Sequence, residues 1–297
     1  MGSARIRPPT LAGLVLLALA VPAAIPAADA PLRVIVFGAH PDDCDLDAGG
    51  TAALWAAKGH AVKFVALTNG DAGHQTEGGG ALAKRRRAEA QEAGRRLGIA
   101  EYEVLDNHDG ELESTLAVRQ QVIRRIRQWN AEVVIAPRPN DYHPDHRYTG
   151  VLVQDTAYMV MVPNVSPDTP PLRRNPVFLY SQDGFERPNP FRPDVAVAID
   201  AVIDKKIQAL DAHVSQVYEW LPWVDGVLDA VPKDMAARLA WLRDQRSGLE
   251  VAEDVRKALR RWYARADTVR NAEAFEVCEY GRRPTEADLR RLFPFFD

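Results

Sequence analysis

Two short polar motifs hold histidine and carboxylate side chains at spacings suited to metal-assisted hydrolysis. The first is HPDD (40–43), which directly follows an apolar run, and the second is HPDH (143–146). His40 and Asp43, on a turn that leaves a strand, can both point at one ion while Asp42 stays off it. Two histidine nitrogens and one carboxylate oxygen, with a free position for water, form the ligand set of a catalytic zinc site. The same set also holds Fe²⁺ or another divalent ion.

Each motif also has a plain structural explanation. HPDD can be a turn in which an aspartate side chain bonds to the backbone, and HPDH can be a polar loop. For either motif alone the two explanations are about equally good. If both motifs lie at strand ends of one sheet, the metal site becomes the better explanation, so the arrangement of the strands decides between them.

Strand-like and helix-like segments alternate around these motifs. The predicted strands are 32–39, 60–68, 101–106 and 131–137, and the predicted helices are 51–59, 81–97 and 114–130, the last with Ser114 as its N-cap. This alternation predicts βαβ units, and therefore an α/β fold with a mainly parallel sheet and helices on both faces. HPDD, TNGDAG (68–73) and HPDH all fall at carboxyl ends of strands, where such sheets bind ligands.

The second half of the chain has a weaker pattern. A proline-rich segment is followed by two strand-like runs, a helical run and a helical tail with a short extended segment. The proline-rich segment is 162–176, the strand-like runs are 176–181 and 194–200, and the helical run is 204–220. The extended segment, which follows the helical tail, is 273–281. We predict one domain over residues 31–297, with a C-terminal helical and β extension.

Residues 1–30 have the pattern of a signal peptide. Arg5 and Arg7 precede an apolar run, and Ala28-Asp29-Ala30 fits the small-residue cleavage pattern. The apolar run is shorter than the ~20 residues that a membrane-spanning helix needs. We therefore expect export to the periplasm or the exterior, without stable membrane insertion after cleavage. An uncleaved membrane anchor is the alternative, and Pro31 leaves the exact cleavage position open.

The composition excludes some classes of protein. The 297-residue chain is 46% hydrophobic and 26% charged, which is an ordinary globular balance. Its net charge of −4 gives no basic excess for binding nucleic acid. Cys44 and Cys278 are the only cysteines, so a disulfide framework is excluded, and two unpaired thiols are favoured over a single bridge.

The motifs together resemble the LmbE/PIG-L family of zinc-dependent de-N-acetylases. The matching segments extend from about residue 34 to residue 275 and occur in the family's order. They are AHPDD (39–43), Gly-Gly at 49–50, TNGDAG, Arg86-x-x-Glu89, Leu-Gly at 97–98, Asp109-Gly110, HPDH, KIQALDAHVSQ (206–216) and AEAF (272–275). The resemblance implies a Rossmann-like sheet and hydrolysis of an N-acyl, usually N-acetyl, amino sugar.

The resemblance also implies roles for individual residues. The metal ligands would be His40, Asp43 and His146. Asp42 would be the general base that takes a proton from a zinc-activated water. A protonated His143, oriented by Asp145, would stabilise the oxyanion. Cys44 stands where the family commonly has Glu, and because a thiolate binds zinc well, its role is unassigned.

Three further residues are expected to contact the substrate. Arg86, Asp109 and His213 lie in segments that resemble the family. The structural alternative is a solvated helix face for Arg86, a turn cap for Asp109 and an ordinary helical histidine for His213. Trp220 and Trp223 can form a wall on which a sugar stacks, but core packing is the expectation for them.

We therefore expect an exported zinc-dependent N-deacetylase, a hydrolase of non-peptide carbon–nitrogen bonds, acting on an N-acetylglucosamine-type sugar or glycoconjugate. Another divalent ion, such as Fe²⁺, can replace zinc. One alternative is an amidase for a larger N-acyl group, with residues 162–192 shaping the pocket. The other is a carbohydrate-binding relative without turnover.

Overall fold

Apolar runs from distant parts of the chain form one seven-stranded sheet in the computed structural model, which describes residues 1–2, 30–246 and 251–297. The strands are β1 (Arg33–Gly38), β2 (Ala61–Thr68), β3 (Glu101–Asn107), β4 (Val133–Ala136), β5 (Val177–Ser181), β6 (Val195–Ala198) and β7 (Ala272–Val277). Their order in the sheet is β3-β2-β1-β4-β5-β7-β6. The first five are parallel, whereas β7 runs antiparallel to both of its neighbours, which confirms the expected mainly parallel α/β sheet.

Helices cover both faces of the sheet. They are α1 (Asp43–Ala57), α2 (Gly79–Leu97), α3 (Leu116–Trp129), α4 (Pro144–Met159), α5 (Ile203–Asp211), a π-helical segment (Ser215–Trp220), α6 (Leu221–Val224), α7 (Met235–Arg246), α8 (Glu253–Trp262) and α9 (Glu286–Leu292). Successive side chains of β1 enter different cores: Val34 and Val36 pack with α1 and α2, whereas Ile35 and Phe37 pack with α3 and α4. Strands buried on both sides explain the continuous apolar runs in the sequence.

The strand order reverses direction between β1 and β4. The chain builds β1, β2 and β3 towards one edge, and then returns to place β4 on the other side of β1. The carboxyl ends of β1 and β4 therefore flank a crevice, which is the usual ligand position in such sheets. HPDD follows β1 and HPDH follows β4, so the fold brings both motifs to this crevice.

Helix α1 begins eight residues earlier than the sequence predicts, at Asp43 and not at residue 51. Its first half, DCDLDAGG, has poor helix formers, and tertiary packing explains why it is helical nonetheless. A Cβ atom on Gly50 would lie 2.8 Å from the side chain of Ile199, so only glycine permits this approach. Helix α3 begins one residue later than expected, because Thr115 rather than Ser114 accepts the capping hydrogen bond from the backbone N–H of Val118.

The predicted helix 204–220 is interrupted. Helix α5 ends at Asp211, and the chain continues after a short break as the π-helical segment. The C-terminal part adds β7 to the sheet and fixes it to α1. The Glu273 carboxylate accepts hydrogen bonds from Gly50 N, Thr51 N and Thr51 Oγ1 at 2.6–2.8 Å, and Lys206 Nζ lies 2.7 Å away.

Residues 31–297 form one compact unit. The predicted signal peptide lies outside the described residues, apart from positions 1–2 and 30. Among the helices of the described part of the chain, none has the length and apolar character needed to cross a membrane.

Candidate active site

A cavity of about 430 Å³ opens in the crevice between β1 and β4. Its volume lies in the range of ~300–1,000 Å³ that is typical of small-molecule sites. Polar groups line the inner part and apolar side chains line one wall. The polar lining residues are His40, Asp42, Asp43, Arg86, Asp109, Tyr142, His143, His146 and Gln216, and the apolar ones are Leu46, Ala72, Trp220, Leu221 and Val224, with Gly73 and Gly110.

Three side chains present donor atoms in a nearly equilateral triangle. His40 Nδ1 lies 3.2 Å from His146 Nε2 and 3.4 Å from Asp43 Oδ2, and the last two atoms are 3.5 Å apart. Tetrahedral zinc with bonds of about 2.0–2.2 Å requires ligand atoms about 3.4 Å from one another. The spacing of the three atoms thus fits a tetrahedral divalent ion, and all three residues line the cavity.

Other donor sets overlap with this triangle. Two other sets also have donor atoms within 4.8 Å of one another. One is His40, His143 and His146, and the other is His40, Asp109 and Asp145. We favour the triangle because its edges match a tetrahedral ion most closely. The two aspartates have a different use, since they lie beside the second nitrogen of His40.

Carboxylates flank the outer nitrogen of each ligand histidine. His40 Nε2 is 3.1 Å from Asp109 Oδ1 and 3.3 Å from Asp145 Oδ2, although neither oxygen lies in line for a regular hydrogen bond. His146 Nδ1 is 3.1 Å from Asp141 Oδ1. Such carboxylates fix the ring and its tautomer, and they turn the other nitrogen towards the metal. The sequence analysis did not identify Asp141, although its position before HPDH is a signal for a supporting carboxylate.

The third ligand is fixed by the backbone that it follows. Asp43 Oδ2 accepts hydrogen bonds from the N–H groups of Ala39 and His40, both at 2.8 Å. Burial alone would raise the pKa of Asp43, but the adjacent His146 and His40 outweigh burial and hold it well below the usual value. Asp43 therefore offers an ionised carboxylate to the triangle.

Asp42 lies beside the triangle and is held by Arg86. The Nη2 atom of Arg86 donates to Asp42 Oδ1 at 3.0 Å, and the guanidinium also lies 3.2 Å from Gly70 O and 3.4 Å from Asp109 Oδ2. Arg86 is only 2% exposed, so it is not part of a solvated helix face. Oδ2 of Asp42 accepts no hydrogen bond from the described residues, which leaves it available to a water molecule.

His143 differs from its expected protonation state. Its Nδ1 atom accepts a hydrogen bond from Asp145 N, and therefore carries no proton. Burial lowers the pKa of His143, and the nearby His40 and His146 lower it further. The Asp145 carboxylate does not orient the His143 ring, because its oxygens accept from Gly110 N and Leu112 N. The hydrogen bond and the lowered pKa both favour a neutral imidazole, which can still donate from Nε2, over the protonated form expected from the sequence.

His213 is not a lining residue of the cavity. Its side chain is fully buried, and Nε2 lies 3.0 Å from Asp45 Oδ2 in the first turn of α1. The expected substrate contact is therefore corrected: His213 supports the helix that begins with Asp43. Arg86 and Asp109 do line the cavity.

Cys44 points away from the cavity. Its thiol is buried and lies 3.5 Å from Val36 O, and burial raises its pKa well above the usual value. A neutral thiol in the core is not a metal ligand. Cys44 and Cys278 are both unpaired, as favoured by the sequence.

The apolar wall was not predicted correctly. The expected pocket-shaping segment 162–192 contributes no lining residue among those described, and the wall comes from the π-helical segment and α6. Trp220 lines the cavity and Trp223 is 50% exposed, so core packing is wrong for this pair.

Comparisons with known proteins show the family that this chain resembles. The model of the PIG-L family, described as GlcNAc-PI de-N-acetylase, matches residues 35–157. The diacetylchitobiose deacetylase of Thermococcus kodakarensis is 31% identical over 199 residues, covering 64% of this chain and 73% of that protein. The 4-oxalmesaconate hydratase of Pseudomonas putida is 29% identical over 197 residues, covering 63% and 74%.

A solved structure supports the same relationship. The N,N'-diacetylchitobiose deacetylase from Pyrococcus horikoshii, in complex with its inhibitor MPG, superimposes with a TM-score of 0.63 and 26% identity. The match covers 83% of this chain and 84% of that one. Together with the HPDD and HPDH motifs at one crevice, these similarities establish that the chain belongs to the PIG-L (LmbE-like) family of deacetylases.

Proposed function

We propose that this protein is a metal-dependent deacetylase that hydrolyses the N-acetyl group of an amino sugar or a glycoconjugate. The observation that supports this most directly is the triangle of His40 Nδ1, Asp43 Oδ2 and His146 Nε2, with Asp42 beside it. Its mixed nitrogen and oxygen donors suit Zn²⁺, and Fe²⁺ or another divalent ion is compatible with the same set.

The chemistry divides between the ion and the chain. A divalent ion bound at the triangle supplies a Lewis acid, which lowers the pKa of a water molecule and polarises the amide carbonyl. Asp42 accepts one proton of the attacking water on its free oxygen while the water oxygen bonds to the amide carbon, and Asp42 then delivers that proton to the leaving nitrogen. The carbon–nitrogen bond breaks, the amine takes up the second water proton, and the products are acetate and the protonated amine.

His143 and Arg86 assist this hydrolysis in two different ways. Neutral His143 donates from Nε2 to the carbonyl oxygen as negative charge develops there, a contribution of about 3 kcal/mol in comparable sites. Arg86 holds the other oxygen of Asp42 and so orients the base. The small apolar methyl of an acetyl group and the polar sugar ring match a cavity with polar and apolar walls.

The hydratase relative suggests a second candidate reaction, the addition of water to a carboxylate substrate. The charges in the cavity disfavour it. Among the described lining residues Arg86 is the sole Lys or Arg, and its guanidinium already contacts Asp42, Asp109 and Gly70 O. An anionic substrate would therefore meet carboxylates without a free arginine or lysine, so that the bound divalent ion alone would offset its charge, whereas a neutral sugar needs no counter-charge.

Acetate release tests the proposal. Purified protein, stripped of metal and then supplied with Zn²⁺ or Fe²⁺, is assayed on N-acetylglucosamine, its β-1,4-linked oligomers, N-acyl sugars with longer chains, and 4-oxalmesaconate. Tyr158→Ala, which removes an exposed ring of α4, is the control variant. We expect metal-dependent acetate release. Failure of every divalent ion to bind or activate, or hydration of 4-oxalmesaconate without acetate release, would refute it.

We also propose that the protein is exported and acts outside the cytoplasm. The basic start, apolar run and small-residue end of residues 1–30 support this. Cell fractionation and N-terminal sequencing of the natural protein test it. A mature N-terminus near residue 31 in the exported fraction supports cleavage, a full-length membrane fraction supports an anchor, and a full-length cytoplasmic protein contradicts export.

A further inference from the structure

Two tryptophans on the cavity wall have no part in the chemistry described above. The Trp220 and Trp223 rings are stacked, with centroids 5.2 Å apart and planes inclined by 17°. Trp220 lines the cavity, whereas Trp223 lies at the surface and is half exposed. The apolar wall thus continues from the cavity to the outside of the molecule.

The segment that bears Trp220 is attached by side-chain contacts to α2 and to the loop after β2. Glu219 pairs with Arg85 at 2.7 Å and with His74 Nε2 at 2.9 Å. At the start of the same segment, Ser215 donates to Glu89 from both its backbone and its hydroxyl. Gln216 Nε2 donates to Gly73 O at 3.0 Å. Contacts at both ends therefore fix the indole of Trp220 relative to the catalytic residues, as a specificity site requires.

Stability does not account for the pair. An exposed indole gives up much of the free energy that burial of its apolar surface would provide. Val224 lines the cavity and is exposed as well, so apolar side chains of Trp223 and Val224 lie at the surface beside the cavity. Exposed apolar patches next to a cleft commonly mark a ligand-binding surface.

We propose that Trp220, supported by Trp223, forms a subsite for a second pyranose ring, linked to the N-acetylated sugar whose amide faces Asp42. A pyranose has C–H groups on its faces and hydroxyls around its rim, so it fits between an indole and polar groups. The cavity has this composition, because Gln216 and Asp109 line it together with Trp220. An alkyl chain would give no donor to Gln216 Oε1, which accepts no hydrogen bond from the described residues, whereas a sugar hydroxyl would. The substrate is therefore at least a disaccharide, a conclusion that rests on the proposed deacetylase function.

The dependence of activity on chain length tests this subsite. Acetate release is measured on N-acetylglucosamine and on its β-1,4-linked disaccharide, with wild type, Trp220→Ala, Trp220→Phe, Trp223→Ala and the control Tyr158→Ala. We expect wild type to prefer the disaccharide about tenfold in kcat/KM. Trp220→Ala is expected to lower kcat/KM for the disaccharide about tenfold more than for the monosaccharide, so that the preference is lost, whereas Trp220→Phe retains part of it and Trp223→Ala has an intermediate effect.

Other results would overturn the subsite. Equal losses on both substrates in Trp220→Ala would mean that Trp220 shapes only the reacting site. A preference for longer N-acyl chains that disappears in Trp220→Ala would assign the wall to an acyl group.

Direct binding separates the subsite from the proposed reaction. Calorimetric titration with the same disaccharide is expected to give a Kd about tenfold weaker for Trp220→Ala than for wild type, even if no sugar releases acetate. Binding of equal strength to both proteins, or no binding to wild type, would refute the subsite.

Discussion

Arg86 Nη2 lies 3.0 Å from Asp42 Oδ1, and both side chains are buried at the cavity. This contact joins the middle of α2 to the turn after β1. It leaves one oxygen of Asp42 engaged and the other facing the cavity without a protein donor among the described residues. In the proposed mechanism this contact orients Asp42 as the general base, whereas both backbone N–H groups that bind Asp43 hold it as a ligand.

The Asp42→Asn variant tests the assignment of the base. Asparagine keeps the size of the side chain but cannot accept the water proton, so kcat should fall by about 10²–10⁴-fold. Because Asp42 is not part of the ligand triangle, the zinc content should stay equal to that of wild type. Metal analysis and acetate release measure the two quantities, with Asp229→Asn, an exposed aspartate, as the control. Unchanged kcat would remove Asp42 from the mechanism.

Arg86→Lys tests whether the guanidinium orients Asp42. A lysine has one ammonium group and cannot contact Asp42, Asp109 and Gly70 O together. We expect kcat to fall by about 100-fold, as for other misplaced catalytic groups, with little change in KM. The matched control is Arg95→Lys on the exposed side of the same helix. A rise in KM with unchanged kcat would instead assign Arg86 to substrate binding.

Asp141→Asn tests the support of the metal ligand His146. Loss of the carboxylate beside His146 Nδ1 should weaken zinc binding by about 10–100-fold. Titration against a competing chelator measures the affinity, and Asp229→Asn again serves as the control. Saturating zinc should restore most activity, since the three ligands remain. Wild-type affinity in Asp141→Asn would show that His146 needs no such support.

The sequence predicts those parts of the site that local patterns determine. His40 and Asp43 lie on one turn after a strand, so their common direction follows from spacing alone. HPDH can be assigned to the same edge because parallel strands end together. The start of α1 could not be read in this way. DCDLDAGG has low helix propensity, and its helical form depends on the close approach of Gly50 to Ile199, far along the chain.

Contacts between distant segments explain the remaining errors. His213 seemed suited to substrate because its motif resembles the family, but a break after α5 turns it to the buried Asp45. For His143 the contact is local, because the N–H of Asp145, two residues further on, reaches Nδ1 and favours the neutral imidazole. Trp220 lies on the π-helical segment and Trp223 on the short helix α6. Neither segment is a long regular helix, so the spacing of its apolar residues does not show whether they face solvent or the core.

Glu273→Gln tests the attachment of β7 to α1. The buried carboxylate accepts bonds from Gly50, Thr51 and Lys206. Glutamine leaves the Lys206 charge without its partner and turns an amide N–H₂ towards backbone donors. We expect the free energy of unfolding to fall by about 3–5 kcal/mol, measured by urea denaturation. Glu279→Gln, at an exposed site, should change it by less than about 0.5 kcal/mol. Equal effects of both variants would contradict this role.

Cys44→Ala tests whether the thiol next to Asp43 takes part in metal binding. Cys44 lies in the core against Val36 O, so its loss should leave the zinc stoichiometry and affinity unchanged. A small cavity should lower the free energy of unfolding by about 1 kcal/mol. Cys278→Ala, which removes the other buried free thiol, is the matched control. Chelator competition and urea denaturation give the two readouts. Weaker zinc binding in Cys44→Ala alone would return the thiol to the ligand shell, because Cys278 shares its burial but not its place beside the ligands.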